Sequence, residues 1–131
     1  MIVTLANKKI NPDEYFEYSN FNTHEQIIVS YQKEKNKYYT LMIIDENAVA
    51  PYYIHELIIN TSTIIKDYVS PEPPKGSGNH NYHILLFEQD KYIDMFPQPD
   101  SISRAFFNLD SFISYYHLHL IDNLTFTVNR S

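Results

Sequence analysis

Along this chain, apolar side chains come in short runs broken by polar, charged or proline-containing stretches, a rhythm that predicts strands rather than long helices. Residues 25–31 (EQIIVSY) and 38–44 (YYTLMII) read as strands, the second of them β-branched, aromatic and buried. The charged KEKNK segment between them, with Asn36 at its tip, predicts a turn that pairs the two as a hairpin. Further strands are predicted over 54–59 (IHELII), within 60–66 (NTSTIIK), over 81–88 (NYHILLFE) and over 124–128 (LTFTV). Helical spacing occurs once, over 108–116: Leu109, Phe112, Ile113 and Tyr116 share a face, and Asn108 or Asp110 is placed to cap it. Residues 1–24 predict a short strand with irregular wrapping, and 45–53, 67–79 and 89–100 predict loops. The expected architecture is one domain over 1–131. It is all-β, an antiparallel Greek-key β-sandwich with a short C-terminal helical segment.

Charge narrows the function classes. The formal net charge is −6, and the only arginines are Arg104 and Arg130. A nucleic-acid partner calls for clustered positive charge, so none is expected, and a basic membrane-binding face is disfavoured on the same ground. The chain contains no cysteine, which fits a reducing compartment and excludes thiolate metal sites. No apolar run approaches the length of a membrane span, and the lysines of the opening stretch follow its apolar residues, unlike a secretory signal. The expected location is cytoplasmic. The abundance of Ile, Asn, Tyr and Lys, whose codons are AT-rich, points to an AT-rich genome.

Candidate chemistry concentrates in one loop. Both glycines of the chain lie in Pro73-Pro74-Lys75-Gly76-Ser77-Gly78-Asn79-His80, directly before an apolar strand. Glycines used so sparingly mark positive φ or close approach to a ligand, and successive free amides in such a loop cradle anions. The bland alternative is an ordinary Pro/Gly hairpin loop. The loop lacks the G-K-[ST] ending of a nucleotide-binding P-loop and leads into a strand. Ser77, His80 and Asp45 supply the residue types of a hydrolase triad, but no G-x-S-x-G elbow is present, so binding rather than catalysis is expected. His117 and His119 lack a third ligand nearby in sequence and read as surface residues.

The order of these motifs carries more information than any one of them. A strand, Tyr39-Thr40-Leu41-Met42-Ile43-Ile44-Asp45, ends on a carboxylate, and His55 sits near the start of the next, behind Pro51-Tyr52-Tyr53. Asp67-Tyr68 then precedes the Pro73–His80 loop, Glu88-Gln89 closes the following strand, and Arg104-Ala105-Phe106-Phe107 leads into the helix. From about residue 25 onward this order resembles the phosphatidylethanolamine-binding protein family, which includes the Raf kinase inhibitor proteins. The resemblance implies a sandwich fold and a small pocket for phosphate or a phosphorylethanolamine-type head group, with no cofactor and no enzymatic activity. Carried over by position, it implies that Asp45, His55, His80 and Tyr82 line the pocket, that Tyr53 walls it, and that Pro74, Gly76 and Gly78 shape its rim. It also implies a signalling protein, such as a kinase, as a partner.

Where the family shows D-P-D-A-P, this chain has Asp45-Glu46-Asn47-Ala48-Val49; where it shows H-R-Y, this chain has His80-Asn81-Tyr82. An aspartate and an arginine are lost together, which predicts that Asn47 and Asn81 are neighbours in place of a charge pair. The N-terminal portion is shorter than is usual in the family. With the AT-skewed usage, this points to a homologue from a large DNA virus of the African swine fever virus type. In that setting the alternative role is a protein-interaction decoy, or antagonist of host signalling, whose pocket no longer binds a ligand.

Overall fold

The computed structural model describes residues 1–131. The chain is mostly β with one short helix. Its strands are β1 (Ile2–Leu5), β2 (Lys8–Lys9), β3 (Glu14–Glu17), β4 (Ile27–Ser30), β5 (Tyr38–Asp45), β6 (Tyr53–Ile59), β7 (Thr63–Lys66), β8 (Asn79–Gln89) and β9 (Leu118–Asn129), with helix α1 (Leu109–Tyr116) preceding the last. A three-stranded sheet has the order β2-β1-β4, and a six-stranded sheet has the order β3-β9-β8-β5-β6-β7.

The large sheet is covered on both faces, which explains the unbroken apolar run of β5. Tyr39, Leu41 and Ile43 join Val3, Leu5 and Ile27 of the small sheet in one core. Met42 and Ile44 point the other way and join Phe87, Phe112 and Leu118 beneath α1 and the 89–107 segment. Alternate residues of β5 therefore feed two cores, and every residue after Tyr38 is buried. Full burial of a side chain of this size contributes about 1.5–3 kcal/mol, so this strand is a main anchor of the fold.

Two sequence expectations are corrected. β4 does not form a hairpin with β5; it pairs antiparallel with β1, Leu5 opposite Ile27. Both edges of β5 are already bonded, to β6 and to β8, so no edge is left for β4. The sheets are also not antiparallel throughout, because β3 runs parallel to β9, with Tyr15 opposite Thr127. The chain reaches that outer edge by crossing from the small sheet rather than by a tight turn, so no hairpin imposes an antiparallel sense. Phe16 fixes the crossing by packing edge-on against Phe21 and Phe126, with ring centroids 5.3 and 6.1 Å apart.

The helix begins as its sequence predicts: the Asn108 side chain accepts a hydrogen bond from the Ser111 amide at 3.1 Å. It ends at His117, which adopts φ 52° in the left-handed region. The final strand starts at Leu118, six residues before the alternating LTFTV segment, and a register shift against β8 interrupts its early part. No helix is long and apolar enough to cross a membrane.

Candidate functional site

The C-terminal end of β5 and the N-terminal parts of β6 and β8 converge at one end of the first core. Asp45 lies opposite Tyr82 in the β5–β8 ladder. His80, two residues earlier on β8, shares the face of Tyr82. β6 contributes through an irregularity: Ile43 pairs with Glu56 and Ile44 with Ile54, leaving His55 as the extra residue of a bulge. The bulge turns the imidazole toward β8, where its ring centroid lies 5.2 Å from that of Tyr82 and 5.2 Å from that of Tyr53.

These side chains line a cavity of about 390 Å³. Of the sequence candidates, Asp45, Tyr53, His55, Pro74, His80 and Tyr82 reach it; Gly76 and Gly78 lie in the adjoining loop. Both glycines have positive φ, +76° and +86°, and shape the turn that leads into β8. The cavity also takes residues with no distinctive motif of their own, among them Val49, Ser70, Glu72 and Ala105. Their only signal in the sequence is proximity to the Asp45, Asp67-Tyr68 and Arg104 motifs.

The two histidines have different hydrogen-bonding roles. His80 Nδ1 lies 2.7 Å from Asp45 Oδ2, and Nε2 lies 2.8 Å from Ser77 Oγ. The Ser77 hydroxyl donates its single proton to Pro74 O at 2.6 Å, so Nε2 is the donor to Oγ while Nδ1 donates to the carboxylate. Both ring nitrogens of His80 are thus used within the protein. His55 has one nitrogen to spare. Its Nδ1 donates to Val69 O at 2.7 Å, and the Val69 amide returns a bond to His55 O at 2.8 Å. Burial lowers the His55 pKa below the ordinary histidine value, the nearby Arg104 and His80 add to that, and the Val69 carbonyl and Asp45 oppose it.

Three buried hydroxyls, Tyr68 Oη, Ser70 Oγ and Tyr82 Oη, meet no partner in good hydrogen-bond geometry, although Tyr68 lies beside Ser70 and Tyr82 beside Asp45. Burial, followed by the Asp45 charge, pushes the Tyr82 phenol far above its ordinary value, so it stays a neutral O–H.

The rim is tied down from several sides. Arg104 donates to Ile54 O at 3.0 Å and Asp67 O at 2.8 Å, bracing β6 against the loop that follows β7. Arg130 lies 4.2 Å above the Tyr18 ring and donates to Pro73 O at 3.4 Å, while Tyr18 donates to Glu72 at 3.1 Å. Asn47 and Asn81 are neighbours: the Asn81 amide donates to Asn47 Oδ1 at 2.7 Å. His119 bonds Asp90 at 2.7 Å and His117 caps the helix, so the two do not form a joint site.

No family model matches the chain. Over 50 residues, 38% of its length, it is 34% identical to the carboxypeptidase Y inhibitor of Saccharomyces cerevisiae, and that stretch spans 23% of the relative. Among solved structures, it superposes on the carboxypeptidase Y inhibitor in complex with its cognate proteinase with a TM-score of 0.70 and 18% identity, covering 99% of this chain and 82% of that one. The phosphatidylethanolamine-binding protein of Plasmodium vivax gives a TM-score of 0.70 at 15% identity, covering 98% and 86%. That of Plasmodium falciparum gives 0.65 at 16%, covering 97% and 85%. The chain therefore has the fold shared by these phosphatidylethanolamine-binding proteins and the inhibitor.

Proposed function

We propose that the chain belongs to the phosphatidylethanolamine-binding protein family and that its cavity binds a phosphate-bearing head group of the phosphorylethanolamine type, as a binding module and not an enzyme. The observation that carries this reading is the convergence of Tyr53, His55, His80 and Tyr82 on one cavity, with His55 Nε2 left without a protein partner. Hydroxyls, and an imidazole once a proton lies on the nitrogen that faces the ligand, suit phosphate oxygens, and Asp45 and Glu72 suit an ammonium. The experiment is an NMR titration of labelled protein with phosphorylethanolamine. Saturable shifts at the Ser70, His80 and Tyr82 amides are expected. No shift at millimolar ligand, or shifts confined to other surfaces, would refute it.

A second reading, a protein-binding module, is favoured by a separate observation. Val49, 94% exposed, lines the cavity, and Phe106, 75% exposed, follows the lining residue Ala105 and donates its amide to Ala50 O at 3.1 Å. Apolar side chains exposed beside a pocket suit contact with another protein, and a relative of this fold binds a proteinase. In this reading a signalling protein such as a kinase, or a protease, meets the rim in the cytoplasm. A viral origin, which residue usage alone supports, would make the partner a host-cell protein. Substituting Val49 and Phe106 by Asp separates the readings. Head-group binding persists and partner binding fails if the rim serves a protein.

A further inference from the structure

The cavity that is read above as a phosphate site contains no lysine or arginine. Its fixed charges are Asp45 and Glu72, both negative. His80, donating through both nitrogens, balances Asp45 and has no donor to offer. Neither Arg104, which donates to the Ile54 and Asp67 carbonyls, nor Arg130, which donates to Pro73 O and lies over the Tyr18 ring, lines the cavity. The phenols of Tyr53 and Tyr82 are neutral donors. What remains is His55, and its tautomer is set by geometry. A carbonyl oxygen only accepts, so the bond to Val69 O places the imidazole proton on Nδ1 and leaves Nε2, in the neutral ring, as a lone pair facing the cavity.

A phosphate oxygen and that lone pair are both acceptors. They bind each other only if a proton lies between them. A phosphate monoester supplies one, because its second pKa is about 6 and its monoanion carries an O–H. A phosphodiester has no such proton and must charge the imidazole instead, in a site that already disfavours that charge through burial and the neighbouring Arg104 and His80.

Resting on the phosphate reading above, we propose that the cavity binds a phosphate group together with one proton, held between a ligand oxygen and His55 Nε2, and so selects phosphate monoesters over diesters. The proton comes from solvent or from the monoanion. No bond other than the hydrogen bond is formed or broken. Asp45, His80, Tyr53, Tyr82, Glu72 and Arg104 are the charged or titratable groups around His55, and none supplies a spare positive donor in its place. The site then suits a free head group or phosphorylated small molecule better than an intact phospholipid, whose phosphate is a diester.

The test is calorimetry on the unmodified protein at pH 7.5 in two buffers of different ionisation enthalpy. The monoester is phosphorylethanolamine, and the diester is glycerophosphorylethanolamine, which carries the same ammonium. Proton uptake close to one per bound monoester is expected, because the free ester is almost fully dianionic at that pH. Both complexes must take up that proton at this pH; the diester is expected to bind several-fold more weakly, because only the buried imidazole can carry it there, whereas a monoester shares it between the imidazole and its own second phosphate charge. His55→Phe should remove the proton uptake. Monoester binding with no buffer dependence, a diester of equal affinity, or uptake that persists in a folded His55→Phe would each overturn this inference and leave the phosphate reading standing. If neither ester binds, both fall.

Discussion

Asp45 and His80 form an ion pair at the floor of the cavity, Oδ2 to Nδ1 at 2.7 Å, with relative side-chain exposures of only 5% and 3%. The carboxylate is satisfied twice, because its Oδ1 accepts the Asn47 amide at 2.8 Å. Truncating one partner of a buried pair strands the other, and such losses run to about 3–5 kcal/mol. Asp45→Ala is expected to lower stability by that amount in urea denaturation. A loss below about 1 kcal/mol, the range of exposed pairs, would show that the pair is solvated and not structural.

Gly76 and Gly78 offer a cleaner separation of conformation from sterics. A Cβ built on either meets nothing within 4 Å, yet both sit at positive φ. The whole cost of Gly78→Ala should then be the left-handed backbone, about 1–2 kcal/mol. Gly78→Asn should cost less, because asparagine tolerates that region. If the alanine and asparagine variants unfold at the same urea concentration, the loop does not hold this conformation in solution.

These two features differ in how far the sequence revealed them. The loop was legible because proline and glycine impose backbone demands that no neighbour overrides, and β5 because seven buried residues in succession leave little choice of element. The small sheet was obscure. β2 is only Lys8–Lys9, both exposed, and β4 pairs with β1 across more than twenty intervening residues, which a local hairpin pattern conceals. The residues converging on the cavity were readable as a set, but their roles were not. That His80 spends both nitrogens depends on Ser77 preferring Pro74 O, and that His55 faces the cavity depends on a bulge. Neither leaves a trace in residue type.

Glu56 predicts a pH dependence of stability. Burial, with a further contribution from Asp67, pushes its carboxyl up to about 7. The unfolded chain ionises it near 4.5, so between these values the folded state binds the extra proton and stability falls as pH rises. Below pH 4.5 the penalty is absent; above 7 it is complete. Because the side chain is partly solvated, the expected penalty is about 1–2 kcal/mol rather than the full linkage value. Glu56→Gln should match the parent near pH 4.5 and exceed it at pH 8. Parallel stability curves for the two proteins across that window would refute the assignment.

The serine in the loop makes the last prediction. Ser77, His80 and Asp45 are hydrogen-bonded in the order of a nucleophile, a base and its orienting carboxylate, at 2.8 and 2.7 Å. In a working triad the hydroxyl donates to the imidazole, which is what allows the base to remove its proton. Here the hydroxyl donates to Pro74 O, and the imidazole donates to the hydroxyl. The polarity of the first bond is reversed. The amides beside Oγ are also engaged, Ser77 N with Pro74 O at 3.1 Å and Gly76 N with Arg130 O at 2.8 Å, so neither is available to stabilise an oxyanion. Ser77 is therefore expected to be inert toward a fluorophosphonate probe. Intact-mass spectrometry after prolonged exposure should show unmodified protein, and Ser77→Ala should behave as the parent does in that assay. A stoichiometric adduct mapped to Ser77 would show that the hydroxyl swings from Pro74 to His80 and that the chain carries a working nucleophile.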